Sequence, residues 1–237
     1  MASTYLSLTN RVITRVNQIE LTAADFTVPD SFQANAKQAV NNAIRAINQM
    51  SYEWPFNHRS TTQLLTERQS TYSFPSDYKA IDWDSFYIEP EESLHVGAAS
   101  VRQIEFNEWK NRYRQRDLDL NNRGNVPDYV YQRNDEKFGL SNIPDQAYTL
   151  NYEYWSAPAD LVAATDTTNI PSRFDYAIEE GAMYYVFLFK NDEEKARVAD
   201  IKFRELVKDM RTILGVNEYN QAFDTRIKVR GPGSFLK

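Results

Sequence analysis

Residues 181–191 read GAMYYVFLFKN, and within them 182–189 is an unbroken run of eight apolar residues, four of them aromatic. A bilayer span needs roughly 20 apolar residues. This run is far shorter and is bracketed by Glu179, Glu180, Lys190 and Asp192. Proline favours the first turn of a helix, and the pattern predicts one helix from Pro171 or Ser172 to Lys190. A helix that is apolar around its whole circumference needs cover around its whole circumference. Neighbouring helices supply cover on one side. The remaining aromatic face needs a sheet or another subunit.

Three further helices are legible. The first spans about 4–21, with Tyr5, Leu8, Val12, Val16 and Ile19 on one stripe. TAADFTVPDS interrupts it. Asp30 or Ser31 then caps a second helix reaching about residue 52, with Phe32, Ala36, Val40, Ala43 and Ile47 on its apolar side. WPFN ends that helix, because Trp54 precedes Pro55 and is pushed out of helical geometry. The last helix follows Asn191-Asp192. Ala196, Ala199, Phe203, Leu206, Met210 and Ile213 recur on it at steps of three and four, and Gly215 is its stop.

Between the helix pairs the period changes. HRSTTQLLT and STYSFP flank ERQ as a hairpin, and YKAIDWDSFYI is a strand. ESLHVGAASVRQI adds another, and PDYVYQRNDEKFGLSNI gives two short strands around RNDE. QAYTLNYEYWS sets Tyr148, Leu150, Tyr152 and Tyr154 against Thr149, Asn151 and Glu153, the alternation of a half-buried strand. EFNEWKNRYRQRDL interrupts the strands as a helix, and APADLVAATDTTNIPSRF reads as a loop. The expected fold class is α+β. A four-helix bundle comes from 1–56 and 170–216, with an inserted antiparallel β-rich domain over 57–169 that carries one short helix. An extended C-terminal tail is expected over 217–237.

The chemistry is sparse. There is no cysteine, so disulfides, thiol catalysis and cysteine-held metals are excluded. The histidines are His58 and His95, without HExxH or paired spacing. A histidine metal site is not expected, and His58 reads as a polar residue at a strand start. GxSxG, GxGxxG and Walker patterns are missing. No catalytic, cofactor-binding or metal residue is assigned. The densest acidic group is Asp82, Asp84, Glu89, Glu91 and Glu92. Paired carboxylates serve glycoside hydrolysis, which leaves a carbohydrate-active module as one alternative.

Net charge is −6, against the basic face that tight nucleic-acid binding requires. Residues 110–124 are the local exception: Lys110, Arg112, Arg114, Arg116 and Arg123 stand against Asp117 and Asp119, with Tyr113 placed to stack on a base. A nucleic-acid-binding module is the second alternative. The simpler reading is an exposed helix whose arginines pair with acidic neighbours, or a protein contact. In TRIKVRGPGSFLK, Ile227 and Val229 alternate with charges like a strand added to a partner. The start, MASTYLSLTNRV, lacks the apolar core of an export signal, so a soluble chain without membrane insertion is expected.

Five segments in order resemble the head-to-tail adaptors of short-tailed bacteriophages, also called tail tubular protein A-like or neck proteins. They are TYLSLTNRVITRVNQIEL, YEWPFN, YSFPSDYKAIDWDSFYI, YTLNYEYWSAPADL and IPSRFDYAIEEGAMYY, covering about residues 3–215. The resemblance implies a non-enzymatic virion protein of the neck or tail, assembled in the host cytoplasm. It implies a ring, typically of twelve copies, that sits below the portal, seats the tail nozzle (tail tubular protein B-like) and passes genomic double-stranded DNA. It also implies that the C-terminal segment reaches the portal, which would place Tyr219, Phe223, Arg226, Lys228, Arg230 and Phe235 at that contact. A ring needs head-to-tail contacts, and such surfaces favour aromatics and arginines. Arg112, Arg114, Arg116, Tyr184 and Phe187 are accordingly the expected subunit contacts.

Overall fold

The chain begins with a short helix whose length is set by side chains rather than by its apolar stripe. The computed structural model describes residues 3–51, 53–90, 97–119 and 124–215. Helix α1 (Tyr5–Thr14) is capped by Thr4, whose hydroxyl accepts from the Ser7 amide at 3.2 Å. It stops well before residue 21. Asn17 takes a left-handed φ of 54°, and the Gln18 amide bonds back to the Ile13 carbonyl. The Asn10 side chain then holds both backbone groups of Leu21, at 2.8 and 2.9 Å, and draws the chain back across the helix. Leu21 is thereby buried, while Ile19 is 85% exposed instead of continuing the stripe.

Helix α2 (Ser31–Met50) follows its sequence closely. Asp30 and Gln33 form a reciprocal capping box, each side chain taking the other's backbone amide. Ala36, Val40, Ala43 and Ile47 are buried. Beyond the helix, Trp54 is extended and fully buried, and its indole donates to the Ile47 carbonyl at 2.8 Å, folding the exit segment against α2.

The strands form two four-stranded sheets. The first runs in the order β1 (His58–Leu64), β8 (Thr149–Ser156), β3 (Tyr78–Ile88), β4 (Ala99–Ser100). The second runs β2 (Thr71–Ser73), β7 (Lys137–Ser141), β6 (Tyr129–Gln132), β5 (Arg102–Gln103). The expected hairpin across ERQ is not formed. β1 pairs with β8 and β2 with β7. Arg68, at φ 61°, and the bond from the Leu65 amide to the Tyr148 carbonyl carry the chain from one sheet to the other. The domain is also not purely antiparallel, since β5 and β6 run parallel. The hairpin around RNDE forms as β6–β7. The single short helix expected in this region is two, α3 (Phe106–Arg112) and α4 (Arg114–Leu118), separated at Tyr113.

The two sheets enclose an aromatic core. Phe86 and Tyr152 stack with centroids 4.6 Å apart, and Phe138, Tyr72, Phe74 and Trp83 continue the array. A separate core unites α1 and α2 with α5 (Asp175–Phe189) and α6 (Glu193–Ile213). Helix α5 packs on α1, α2 and α6. Gly181 permits this closeness: a Cβ there would lie 2.8 Å from the Phe203 ring and 3.0 Å from Ala43. Asp192 caps α6, which buries Ala196, Ala199, Phe203, Val207 and Met210. Ile213, expected on this seam, is exposed, because the buried stripe follows the 3.6-residue period through Val207. Gly215 stands at φ 70°, as a helix stop.

The end of α2 joins the two cores. Lys79 of β3 donates to the carbonyls of Asn48 and, at 3.1 Å, Ser51. Arg211 of α6 donates to the Met50 carbonyl. Buried Asn57 donates to the Asn48 side chain at 2.6 Å and accepts from Asn169, while Ser156 donates to the Asn57 carbonyl.

Candidate assembly surface

Helix α5 is anchored on one side by charge. Arg11 of α1 meets Asp175 at 3.0 Å and Glu179 at 3.2 Å, and Arg15 meets Glu180 at 2.7 Å. Glu180 is buried, so Arg15 supplies the compensation its carboxylate needs. The same carboxylate accepts from the Tyr176 hydroxyl and holds that phenol above its usual range. Ala177, Ile178, Ala182, Met183 and Val186 fill the helical core.

The C-terminal end of the apolar run is incompletely covered. Tyr184, Tyr185 and Phe187 are half-buried, while Leu188 is 43% and Phe189 47% exposed. Phe189 leans on Phe32 of α2 with centroids 6.5 Å apart, and Lys190 covers the other part of that ring. The sheets are not among the principal neighbours of α5. A groove of about 670 Å³ lies beside Phe187, lined by Met183, Val198, Ala199 and the Arg15–Glu180 pair, with Lys195 and Lys202 on its rim. Val198 and Ile201 expose further apolar surface on α6. Apolar floor, half-covered aromatic rings and a charged rim together have the make-up of a protein–protein contact.

The arginines of 110–124 occupy another layer. Trp109 stacks on Tyr131 at 4.6 Å and Tyr113 on Tyr129 at 5.2 Å, pinning α3 and α4 to the second sheet. Burial raises the Tyr131 phenol to about 12. Asp117 is buried beneath these helices, taking the Trp109 indole at 2.9 Å, the Ser141 hydroxyl at 2.8 Å and Arg116 at 3.1 Å. Arg112 bonds to Glu108 one turn back at 2.8 Å. Arg114 is exposed. Arg112 and Arg116 thus pair with acidic neighbours. The structure places Tyr184 and Phe187 on one surface and Arg112, Arg114 and Arg116 on a different one. The Asp117 network is not legible in the residue order, because Trp109, Ser141 and Arg116 converge only in the fold. Tyr219, Phe223, Arg226, Lys228, Arg230 and Phe235 lie outside the described residues, as do Glu91, Glu92, His95 and Arg123.

Among the described residues, Asp82 and Asp84 do not line the larger grooves. The Asp84 amide bonds to Asp82 Oδ1 at 3.2 Å within a bulge, and Asp84 is exposed. The groove of about 660 Å³ on the strand layer is lined by Gln63, Tyr72, Arg133 and Lys137 instead. Among the described residues no helix is long and apolar enough to cross a membrane.

Comparison with known proteins agrees with an assembly role. No curated protein matches the chain. The model of the SU10 adaptor protein family matches residues 3–230, spanning both cores. The chain therefore belongs to the SU10 adaptor proteins, a family of structural adaptors of bacteriophage virions that work by partnering other virion proteins.

Proposed function

We propose that the chain is a head-to-tail adaptor of a short-tailed phage, tail tubular protein A-like, forming a dodecameric ring between portal and tail nozzle. The observation that carries this reading is the partly uncovered C-terminal end of α5, where Leu188 and Phe189 are exposed and Phe187 borders a groove against α6. Ring formation by head-to-tail contact requires one surface of a copy to receive a different surface of the next. The aromatic face with Tyr184 and Phe187 is one such surface. The helical face bearing Arg112, Arg114 and Arg116 is the other.

In this reading 1–56 and 170–216 close as a four-helix bundle, 57–169 is the inserted domain, and 217–237 is an extended tail. That tail carries the portal contacts Tyr219, Phe223, Arg226, Lys228, Arg230 and Phe235. Assembly takes place in the host cytoplasm before the ring enters the virion. The net charge of −6 suits passage of DNA, because cationic contacts to phosphate hold the duplex and acidic walls let it slide.

The test is the mass of the protein mixed with portal. A large cyclic species is expected, and a persistent 27.6 kDa monomer sinks the proposal. Removing residues 218–237 is expected to leave the fold intact and weaken portal attachment in a pull-down. Undiminished attachment assigns the portal contact elsewhere.

A further inference from the structure

Three side chains of metal-ligating type meet on the outer face of the first sheet. They are His58 at the start of β1, Glu153 in β8 and Asp82 in β3, and one donor atom of each lies within 4.8 Å of the others. His58 Nε2 is 3.1 Å from Glu153 Oε2. The three strands are adjacent in the sheet, so the group stands on paired backbone rather than on loops. Leu150, Tyr152 and Tyr154 point into the core, which turns Glu153 and Trp155 of β8 to the opposite face.

Two features set this group apart from ordinary surface acids. Asp82 is directly opposite Glu153 in the register, and like charges in that position repel. Among the described residues neither carboxylate has a lysine or arginine within 4.0 Å; His58 is the ion-pair partner of Glu153. The register also breaks immediately after Asp82, the next pair being Tyr87 with Asn151. A bulge re-aims side chains and is over-represented beside functional sites. Here Ser85 fastens it, accepting the Glu153 amide at 2.8 Å and donating to the Asp82 carbonyl at 2.6 Å. The fold thus holds two mutually repelling carboxylates side by side, with an imidazole against one of them.

We propose that His58, Asp82 and Glu153 bind one divalent transition-metal ion of the zinc class, which staples the edge strand β1 to the sheet. One imidazole and two carboxylates make a mixed nitrogen and oxygen set that such ions accept. Ligand atoms around a tetrahedral zinc stand about 3.3 Å apart, given metal–ligand bonds of about 2.0–2.2 Å. The His58–Glu153 distance already matches, and Asp82 closes by a small side-chain rotation. The site is part-exposed, which leaves the fourth position to water. Sequence spacing hides the group, because its members come from three strands far apart in the chain. This site is independent of the ring assembly proposed above.

The test uses the full chain stripped with a chelator and titrated with zinc by calorimetry and with cobalt by visible absorption. Trp155, whose ring centroid is 5.4 Å from that of His58, provides a fluorescence reporter for cobalt quenching. One ion per chain is expected, with at least a tenfold loss of affinity in each of His58→Ala, Asp82→Asn and Glu153→Gln. Zinc is expected to raise the melting temperature of the parent chain and not of the variants. These part-exposed substitutions leave both cores intact, which circular dichroism checks. No binding, or equal binding by parent and variants, overturns the proposal. So does an assembled structure in which a lysine or arginine of a neighbouring copy sits between the two carboxylates.

Discussion

The strand-layer core and helix α5 are built from the same kind of residue and end in opposite states. Phe86, Phe138 and Tyr152 face one another from three strands, and each is enclosed by the others. Tyr184, Tyr185, Phe187 and Phe189 crowd one helix, and a helix cannot fold its own circumference inward. Aromatic content alone therefore does not distinguish a core from a contact surface. What decides is whether the rings come from elements that face each other. Two sheets close on themselves. One rod among three helical neighbours is covered along most of its length and leaves its C-terminal end partly open.

Substitutions in the two regions should separate these states. The largest effect is expected from Phe138→Ala, which empties the centre of the closed array and costs about 3–5 kcal/mol in urea unfolding. A loss below about 1 kcal/mol would mean the array repacks and is not closed. Next comes Gly181→Ala, where the added methyl meets the Phe203 ring and Ala43. Overpacking of this kind costs about 1–3 kcal/mol, and an unchanged urea midpoint would show that α5 and α6 have room to part.

Phe189→Asp sharpens the comparison most. The ring is nearly half exposed, so monomer stability should fall by about 1 kcal/mol or less, while the large species formed with portal disappears from sizing. A variant that still assembles assigns the contact to another face, and one that unfolds shows Phe189 to be core. The smallest effect is expected from Arg112→Ala, which removes one exposed pair a helical turn apart, worth roughly 0.3–0.5 kcal/mol. A melting shift of several degrees would mean that Arg112 holds more than Glu108.

Local signals were readable and distant ones were not. The cap of α2 at Asp30, the β6–β7 turn and the apolar run of α5 each lie within about one or two turns of chain, and all three formed where the residues indicated. The pairing of β1 was invisible because its partner is remote: Thr62 bonds to Asn151, 89 positions away. The apolar period overshoots α1, because Val16 and Ile19 fit it, while Asn10 and Leu21 end the helix through a contact that only the fold creates. The candidate surface was half legible. Its existence follows from a run too apolar for one helix. Which part stays open depends on Phe32, Lys190 and the ion pairs from α1, none of which the run itself contains.

The clamped end of α2 has a mechanical meaning. A cation from β3 and a cation from α6 grip carbonyls of the same final turn. Twisting the strands relative to the rods must tear both grips and the asparagine relay beside them in one event. That turn is a keystone, so a load applied to either core is shared by the other.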